Sequence, residues 1–351
     1  MDNIIDIEKI LSLIAKNPNI SDLHLSSSEC ISYRLNEIVR EESAGKLTSE
    51  GMEIILRQLF QNPQRFDKFL DKEADFAYIS RDETAYRVNA YLKTGRIGIV
   101  MRKIGKEAKK LEDIMFNNIA NSIRDNILSK KKLYLVTGPT GSGKSTSLVS
   151  MLEEVNKSRP ENLITIEDPI EYVFEPKNCI VSQREIGHDT RSFTNALRAA
   201  MRQDPDILFV EIRDIETAEA VLNLAETGHL VFSTLHTNSA SHTINRFISF
   251  FPPDIQSVAE RLSEALIGIQ SQVLAKSKDG STRVGIFELL LNTHSIKTNI
   301  KKKDVDQIDS IIETSNMIMI TLKQYAENLI SKIINPQEVD WLLNKNSQTK
   351  N

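Results

Sequence analysis

The sequence predicts an α/β protein: a nucleotide-binding domain on a parallel sheet, preceded by a smaller α+β domain. First, Leu133-Tyr134-Leu135-Val136 runs without a polar break into Gly138-x-x-x-x-Gly143-Lys144-Ser145. That is a both-face-apolar strand entering a phosphate-binding P-loop. Second, three more apolar runs follow at Asn162–Ile166, Ile207–Val210 and Leu230–Leu235, separated by helical patterns. Strands alternating with helices make a parallel sheet. Third, the strand-like runs before residue 104 follow one another closely, as in an antiparallel sheet.

In chain order, Ile4–Ala15 carries apolar residues at helical spacing. Ser21–Leu25 starts a strand and Ile31–Val39 reads as a second. Leu47-Thr48-Ser49-Glu50 is a capping-type start for a helix running to about Phe60. Ala74–Ile79 and Tyr86–Met101 supply further strands, and Arg87, Arg96 and Arg102 lie on or beside the last hairpin. These arginines are either solvated edge charge or candidates to reach a neighbouring subunit's γ-phosphate. The polar stretch 105–132, helical over Leu111–Ile127, reads as a linker between a domain at 1–104 and a domain at 133–351. A chain of 351 residues fits two domains.

In the P-loop, Gly138, Pro139, Thr140, Gly141, Ser142 and Gly143 form the cradle, whose glycines let the backbone turn its N–H groups inward on phosphate oxygens. A helix opening at Lys144 points its positive end at the same anion. Lys144 would reach the β- and γ-phosphates of ATP, Ser145 would ligate Mg²⁺, and Thr146 completes the turn.

Beyond the P-loop helix, the second strand ends in Glu167-Asp168-Pro169. Acids at the C-terminal ends of parallel strands lie where such sheets bind ligands, so Glu167 or Asp168 is a candidate to hold a Mg²⁺-bound water. Arg191–Arg202 is helical, and Ile207–Val210 followed by Glu211 has the Walker-B pattern of four apolar residues and an acid. Such a carboxylate positions or deprotonates the attacking water. Gly228–Thr237 is another buried strand with His229 and His236 at its ends. His236, at the C-terminal end, is placed to read the γ-phosphate. Toward the C-terminus, Met317, Ile318, Ile320 and Leu322 are expected core contacts and Asn344–Asn351 an unstructured tail.

These motifs resemble the secretion-type ATPases of the type IV pilus and type II secretion superfamily, above all its pilus-retraction motors. TGPTGSGKST matches the Walker A, TIEDPIEYV (Thr165–Val173) the Asp box, ALRAAMRQDPDI the lead into the Walker B, and TGHLVFSTLHT the His box. SDLHLSS and YRVNA match the N-terminal domain. The resemblance implies a PAS-like N-terminal domain, a RecA-like C-terminal domain, and a homohexameric ring binding ATP between domains. It makes Glu211 the catalytic glutamate, Glu167 the Asp-box carboxylate, and His229 and His236 the His-box pair. It further implies a Mg²⁺-dependent ATPase that powers pilus retraction, seen as twitching motility, through domain movement. The implied partners are an inner-membrane platform protein and a paralogous pilus ATPase, with the ring at the cytoplasmic face of the inner membrane. Rival readings are an accessory nucleotide-binding ring subunit of weak activity, or a related secretion or DNA-uptake motor.

The assembly motors of the superfamily carry a four-cysteine zinc motif after the His box, whereas Lys276–Glu288 has no cysteine. The family's Walker B has a glycine before its glutamate; here Val210 abuts Glu211, one residue shorter. Such a slip either turns Glu211 to the opposite face or is absorbed where the strand ends. The family's AIRNLIRE-like helix is SIKTNIKK at Ser295–Lys302, Gly95-Arg96 reverses the usual order, and Glu37 replaces a turn glycine.

Composition limits the alternatives. A net charge of −4 argues against a protein that coats nucleic acid. Two cysteines, Cys30 and Cys179, make neither a disulfide framework nor a zinc site. The N-terminus lacks the basic start of a signal peptide, and no apolar run approaches about 18 residues. Membrane association is therefore expected only through partners.

Overall fold

The computed structural model describes residues 6–343 except 16, 18, 36–37, 62–65, 67–68, 70–72, 106, 253–256, 316–317 and 331. Contacts divide the chain into two compact units. One comprises Met1–Glu107 with Glu167–Val173 and Glu185–Asp189; the other comprises Ala108–Ile166, Phe174–Arg184 and Thr190–Asn351.

The first unit is built on a six-stranded sheet of order β3-β2-β1-β6-β5-β4. Its strands are β1 (Ile20–Ser26), β2 (Cys30–Leu35), β3 (Ile38–Lys46), β4 (Ala74–Ile79), β5 (Ala85–Lys93) and β6 (Arg96–Lys103), and all neighbours are antiparallel. The run Ile31–Val39 is a hairpin rather than one strand, with Leu35 paired to Ile38. The polar pair Asn36-Glu37 interrupts the run there, and Glu37 itself lies outside the described residues. Helix Ser49–Phe60 starts where its cap predicts, with the Thr48 hydroxyl accepting from the Gly51 N–H at 3.0 Å. Met52, Ile55 and Leu56 from that helix, Ile7 and Leu11 from helix Ile7–Ala15, and Leu23, Phe76, Val88, Ile99 and Met101 from the sheet form one buried core.

The second unit carries a seven-stranded sheet of order β13-β12-β7-β11-β10-β8-β9. These are β7 (Leu133–Thr137), β8 (Asn162–Glu167), β9 (Ile180–Glu185), β10 (Ile207–Glu211), β11 (Leu230–Leu235), β12 (Leu266–Lys276) and β13 (Arg283–Leu291). The run β12-β7-β11-β10-β8 is parallel, as the apolar strands and intervening helices predict, and β13 is antiparallel to β12. β7 has all five residues buried, so the strand feeding the P-loop lies inside the sheet. Parallel direction and matched register bring the C-terminal ends of β7, β10 and β11 to one edge: Glu211 pairs with Thr234 and Val136 with Thr234.

The helices differ from the sequence reading where a side chain sets the boundary. Arg191–Arg202 shortens to Phe193–Ala200 because Ser192 caps it, accepting from the Asn195 N–H at 3.2 Å. The expected helix Leu111–Ile127 is two helices, Leu111–Ile114 and Asn117–Ile123, and a π-helical turn, Arg124–Leu128. Phe116 breaks it: its ring stacks on Tyr325 at 4.1 Å and its N–H donates to the Tyr325 hydroxyl at 3.0 Å. Leu111, Ile119, Ile123 and Ile127 from this stretch are fully buried.

Near the C-terminus Met319 and Leu322 are buried and the Ile320 backbone pairs with Leu289. Ile318 is 57% exposed, so it is no core contact. Met317 and Asn344–Asn351 lie outside the described residues. Ile296 and Ile300 of helix His294–Lys302 are buried, while Lys297 and Lys301 pair with Glu264 at 2.8 and 2.7 Å. No helix among the described residues is long and apolar enough to cross a membrane.

Candidate nucleotide-binding site

The P-loop passes from β7 into helix Lys144–Ser158 through backbone conformations only glycine adopts without strain. Gly138 has φ +150° and Gly143 φ +87°. A Cβ on Gly138 would stand 2.3 Å from the Gln272 carbonyl oxygen and 2.5 Å from the Ser142 hydroxyl. Pro139, Thr140 and Gly141 are exposed at the tip, and Ser145 and Thr146 are exposed in the first helical turn. No side chain caps this helix at Gly143, which leaves its first N–H groups for an anion. Among the described residues the Ser145 hydroxyl makes no hydrogen bond, as a position for a metal ligand requires. The loop and Ser145 therefore fit a magnesium–nucleoside phosphate.

Three sequence-predicted residues meet at this edge. The Lys144 ammonium donates to the carbonyls of Gly138 at 2.7 Å and Pro139 at 3.1 Å, and its Nζ lies 3.5 Å from His236 Nδ1. His236 Nε2 lies 3.3 Å from Glu211 Oε1. An ammonium can only donate, so Nδ1 accepts, and Nε2–H donates to the carboxylate. The His236 ring thus bridges the P-loop lysine to the Walker-B acid. The shortened strand is absorbed at its end. Glu211 closes β10 opposite Thr234, Ile212 N–H still donates to the Thr234 carbonyl at 3.3 Å, and the carboxylate is turned to the P-loop side.

Arg213, which the sequence reading did not single out, holds the other Glu211 oxygen. Its Nε and Nη2 donate to Oε2 at 2.9 and 2.7 Å, and its guanidinium lies over the Phe193 ring. Its sequence signal is a basic residue two positions past the Walker-B acid.

The other candidates have partners of their own. His229 sits at the opposite end of β11, seven residues from His236, which is about 23 Å of strand. Its Nδ1 contacts the Leu224 carbonyl at 2.9 Å and the Thr227 hydroxyl at 3.0 Å, closing the end of helix Ile215–Glu226. Glu167 closes β8, and its Oε2 accepts from the Glu171 N–H at 3.4 Å. In the first unit Arg87 binds Asp75 at 2.6 Å and Glu171 at 3.5 Å, and Arg102 donates to Asp22 at 2.7 Å with 71% of its side chain exposed.

Beneath the P-loop lies a polar layer that the sequence reading also missed. Register sets Ser271 against Thr137, so Gln272 comes next to Gly138. Gln272 Nε2 donates to the Ser142 carbonyl at 2.8 Å, and the Thr137 and Ser271 hydroxyls lie 2.9 Å apart. Glu288, paired to Ser271 on β13, accepts from the Ala240 N–H at the start of the helix that follows His236. The signal was present: Gln270-Ser271-Gln272 interrupts an otherwise apolar strand.

Comparison with known proteins agrees with this geometry. The family model of type II/IV secretion system proteins matches residues 3–340. The type IV pilus retraction ATPase PilT of Pseudomonas aeruginosa is 39% identical over 332 residues, covering 93% of this chain and 94% of that protein. A twitching motility protein of Neisseria gonorrhoeae is 38% identical over 293 residues, covering 82% of this chain and 75% of that protein. A crystal structure of the pilus retraction motor PilT with bound ADP superposes with TM-score 0.84 at 34% identity, over 95% of both chains. The chain belongs to the type II/IV secretion system protein family and is a PilT-like ATPase.

Proposed function

We propose that this chain is the Mg²⁺-dependent ATPase that powers retraction of a type IV pilus. The observation that carries the reading is the continuous contact from Lys144 through His236 to Glu211. It supports one site in which phosphate binding, γ-phosphate sensing and water activation are coupled.

The protein's own part is positioning and charge. The loop amides of residues 138–143 and the helix N-terminus receive the phosphates. Lys144 exchanges the Gly138 and Pro139 carbonyls for phosphate oxygens. Glu211 orients the attacking water and accepts its proton, which it can do once Arg213 turns toward developing phosphate charge. His236, losing Lys144 to the nucleotide, reports γ-phosphate occupancy to Glu211. Ser145 would hold Mg²⁺, with Glu167 assisting its shell, and the ion would supply charge neutralisation on the phosphates.

Residues 1–104 and 133–351 are the working domains in this reading, connected by 105–132, and hydrolysis moves them relative to one another. The assembly is a homohexamer in which Arg87 or Arg102 serves a neighbouring subunit's site. It works in the cytoplasm, at the inner face of the inner membrane, on a pilus platform protein beside a paralogous ATPase. The name of the PilT relatives and the match over nearly the whole chain support retraction as the work done.

The test is phosphate release by the purified protein, with its mass measured by light scattering. Lys144→Ala is expected to abolish turnover; turnover at the wild-type rate in that variant contradicts the assignment of the site.

A further inference from the structure

Under the P-loop, three fully buried polar side chains form a single file. The Tyr134 hydroxyl donates to Gln270 Oε1 at 3.3 Å, Gln270 Nε2 donates to Gln272 Oε1 at 2.8 Å, and Gln272 Nε2 donates to the Ser142 carbonyl at 2.8 Å. Tyr134 and Gln270 are 0% and Gln272 1% exposed. Gln270 and Gln272 lie two apart on β12, so they share a face of the sheet.

The direction of the file is dictated from one end. A backbone carbonyl can only accept, so Gln272 must present its NH₂ to Ser142 and its oxygen to Gln270. Gln270 must then present its own NH₂ to Gln272 and its oxygen to Tyr134, whose hydroxyl donates. Every amide orientation follows from the P-loop carbonyl at the end of the file.

We propose that Gln272, backed by Gln270 and Tyr134, is the residue that positions the P-loop for phosphate. A trans peptide is planar, with its C=O and N–H pointing opposite ways. Holding the Ser142 carbonyl down onto β12 therefore turns the Gly143 N–H up, into the concave side of the loop. The fit is close on the same side: a Cβ on Gly143 would lie 3.3 Å from Gln272 Nε2, and one on Gly138 would meet the Gln272 carbonyl oxygen. Gln272 thus braces both glycines of the motif from one strand position. Without its donor, the Ser142–Gly143 peptide is free to rotate, and the anion nest loses an N–H. Gln272 touches no nucleotide; it acts through the loop.

The inference rests on the P-loop binding nucleotide, and the experiment separates the two. ADP affinity is measured by calorimetry on the full chain, well below each variant's melting temperature, for wild type, Gln272→Met and Gln272→Glu. Methionine keeps the volume and removes both polar ends. Glutamate keeps the acceptor for Gln270 and, as a carboxylate, sets a second acceptor against the Ser142 carbonyl in place of the donor. Both variants are expected to bind ADP at least tenfold more weakly than wild type. Hydrogen exchange across residues 138–146 is expected to slow with ADP in wild type and to lose that slowing in the variants. Either folded variant binding ADP within twofold of wild type overturns the role of Gln272 and leaves the nucleotide reading intact. A wild-type chain that binds no ADP overturns the nucleotide reading itself. Should neither variant fold, Gln272→Asn, which keeps both polar ends and shortens the reach to Ser142, is measured in the same way, and ADP binding within twofold of wild type overturns the proposal.

Discussion

Glu288 is a carboxyl group placed where water cannot reach it. It is 5% exposed on β13, accepts the Ala240 N–H, and has Ser271, the Leu322 N–H and Asp309 as its other neighbours. Burial pushes its pKa up to about 7, with Asp309 adding to the rise and the Ala240 and Ser271 hydrogen bonds opposing it. In the unfolded chain it titrates near its ordinary 4.5. Below that value both states hold the proton and the contribution is full; between about 4.5 and about 7 only the folded state keeps it, so stability falls as pH rises, and the contribution is lost above. The shift corresponds to something on the order of 3 kcal/mol across that window. Glu288→Gln is expected to flatten this part of the stability–pH curve, measured by denaturant unfolding between about pH 5 and about pH 8. Parallel curves for wild type and variant in that range contradict the account. Residues of this kind divide sharply in how legible they are. Gly138–Thr146, Glu211 and His236 can be found in the sequence because strand, loop and helix occur in a contiguous order that has one chemical use. Glu288, Arg213 and Gln272 cannot be found as easily, since their significance lies in what other strands bring against them. A glutamate in GIFELLL looks like a polar residue on a strand until register sets it opposite Ser271.

The elements follow their local chemistry closely. Capping side chains at Thr48, Ser192, Asp214 and Ser239 start helices at the residues where they stand. What local pattern does not contain is interruption from outside. The apolar periodicity over Leu111–Ile127 is continuous, yet the helix breaks at Phe116 because Tyr325, 209 residues later, takes both its ring and its N–H. Tyr325 is 1% exposed, and its burial raises its hydroxyl pKa. Tyr325→Phe keeps the stacked ring and removes the acceptor, leaving a Phe116 N–H without it. The expected cost is about 1–2 kcal/mol in chemical unfolding, with turnover unchanged. A loss below about 0.3 kcal/mol would show that water replaces the hydroxyl and that the break has another cause. The Walker-B strand teaches the same point in reverse. β10, one residue shorter than the family pattern, keeps its parallel register with β8 through Val210 and with β11 through Glu211. Helix His294–Lys302 keeps its buried Ile296 and Ile300 while its surface changes to lysines that pair with Glu264.

At the scale of the whole molecule, composition and strand order predict two kinds of sheet, and two sheets are present, one wholly antiparallel and one with a parallel centre. The sequence does not indicate that Glu167–Val173 and Glu185–Asp189 count among the contacts of the first unit. Membership of a unit is decided by what a segment touches, and the Asp-box stretch reads locally as the end of β8 and a turn. The match to the type II/IV secretion system protein family spans residues 3–340 and so includes both units. The central claim is that Glu211, on its shortened strand, still serves hydrolysis at the P-loop. Its most direct test is steady-state phosphate release beside ADP binding for wild type and Glu211→Gln. The account expects the wild type to turn over ATP, and the variant to bind ADP with wild-type affinity while its turnover falls at least about a hundredfold. Equal turnover by the two proteins, or a wild type that binds ADP and releases no phosphate from ATP, contradicts it.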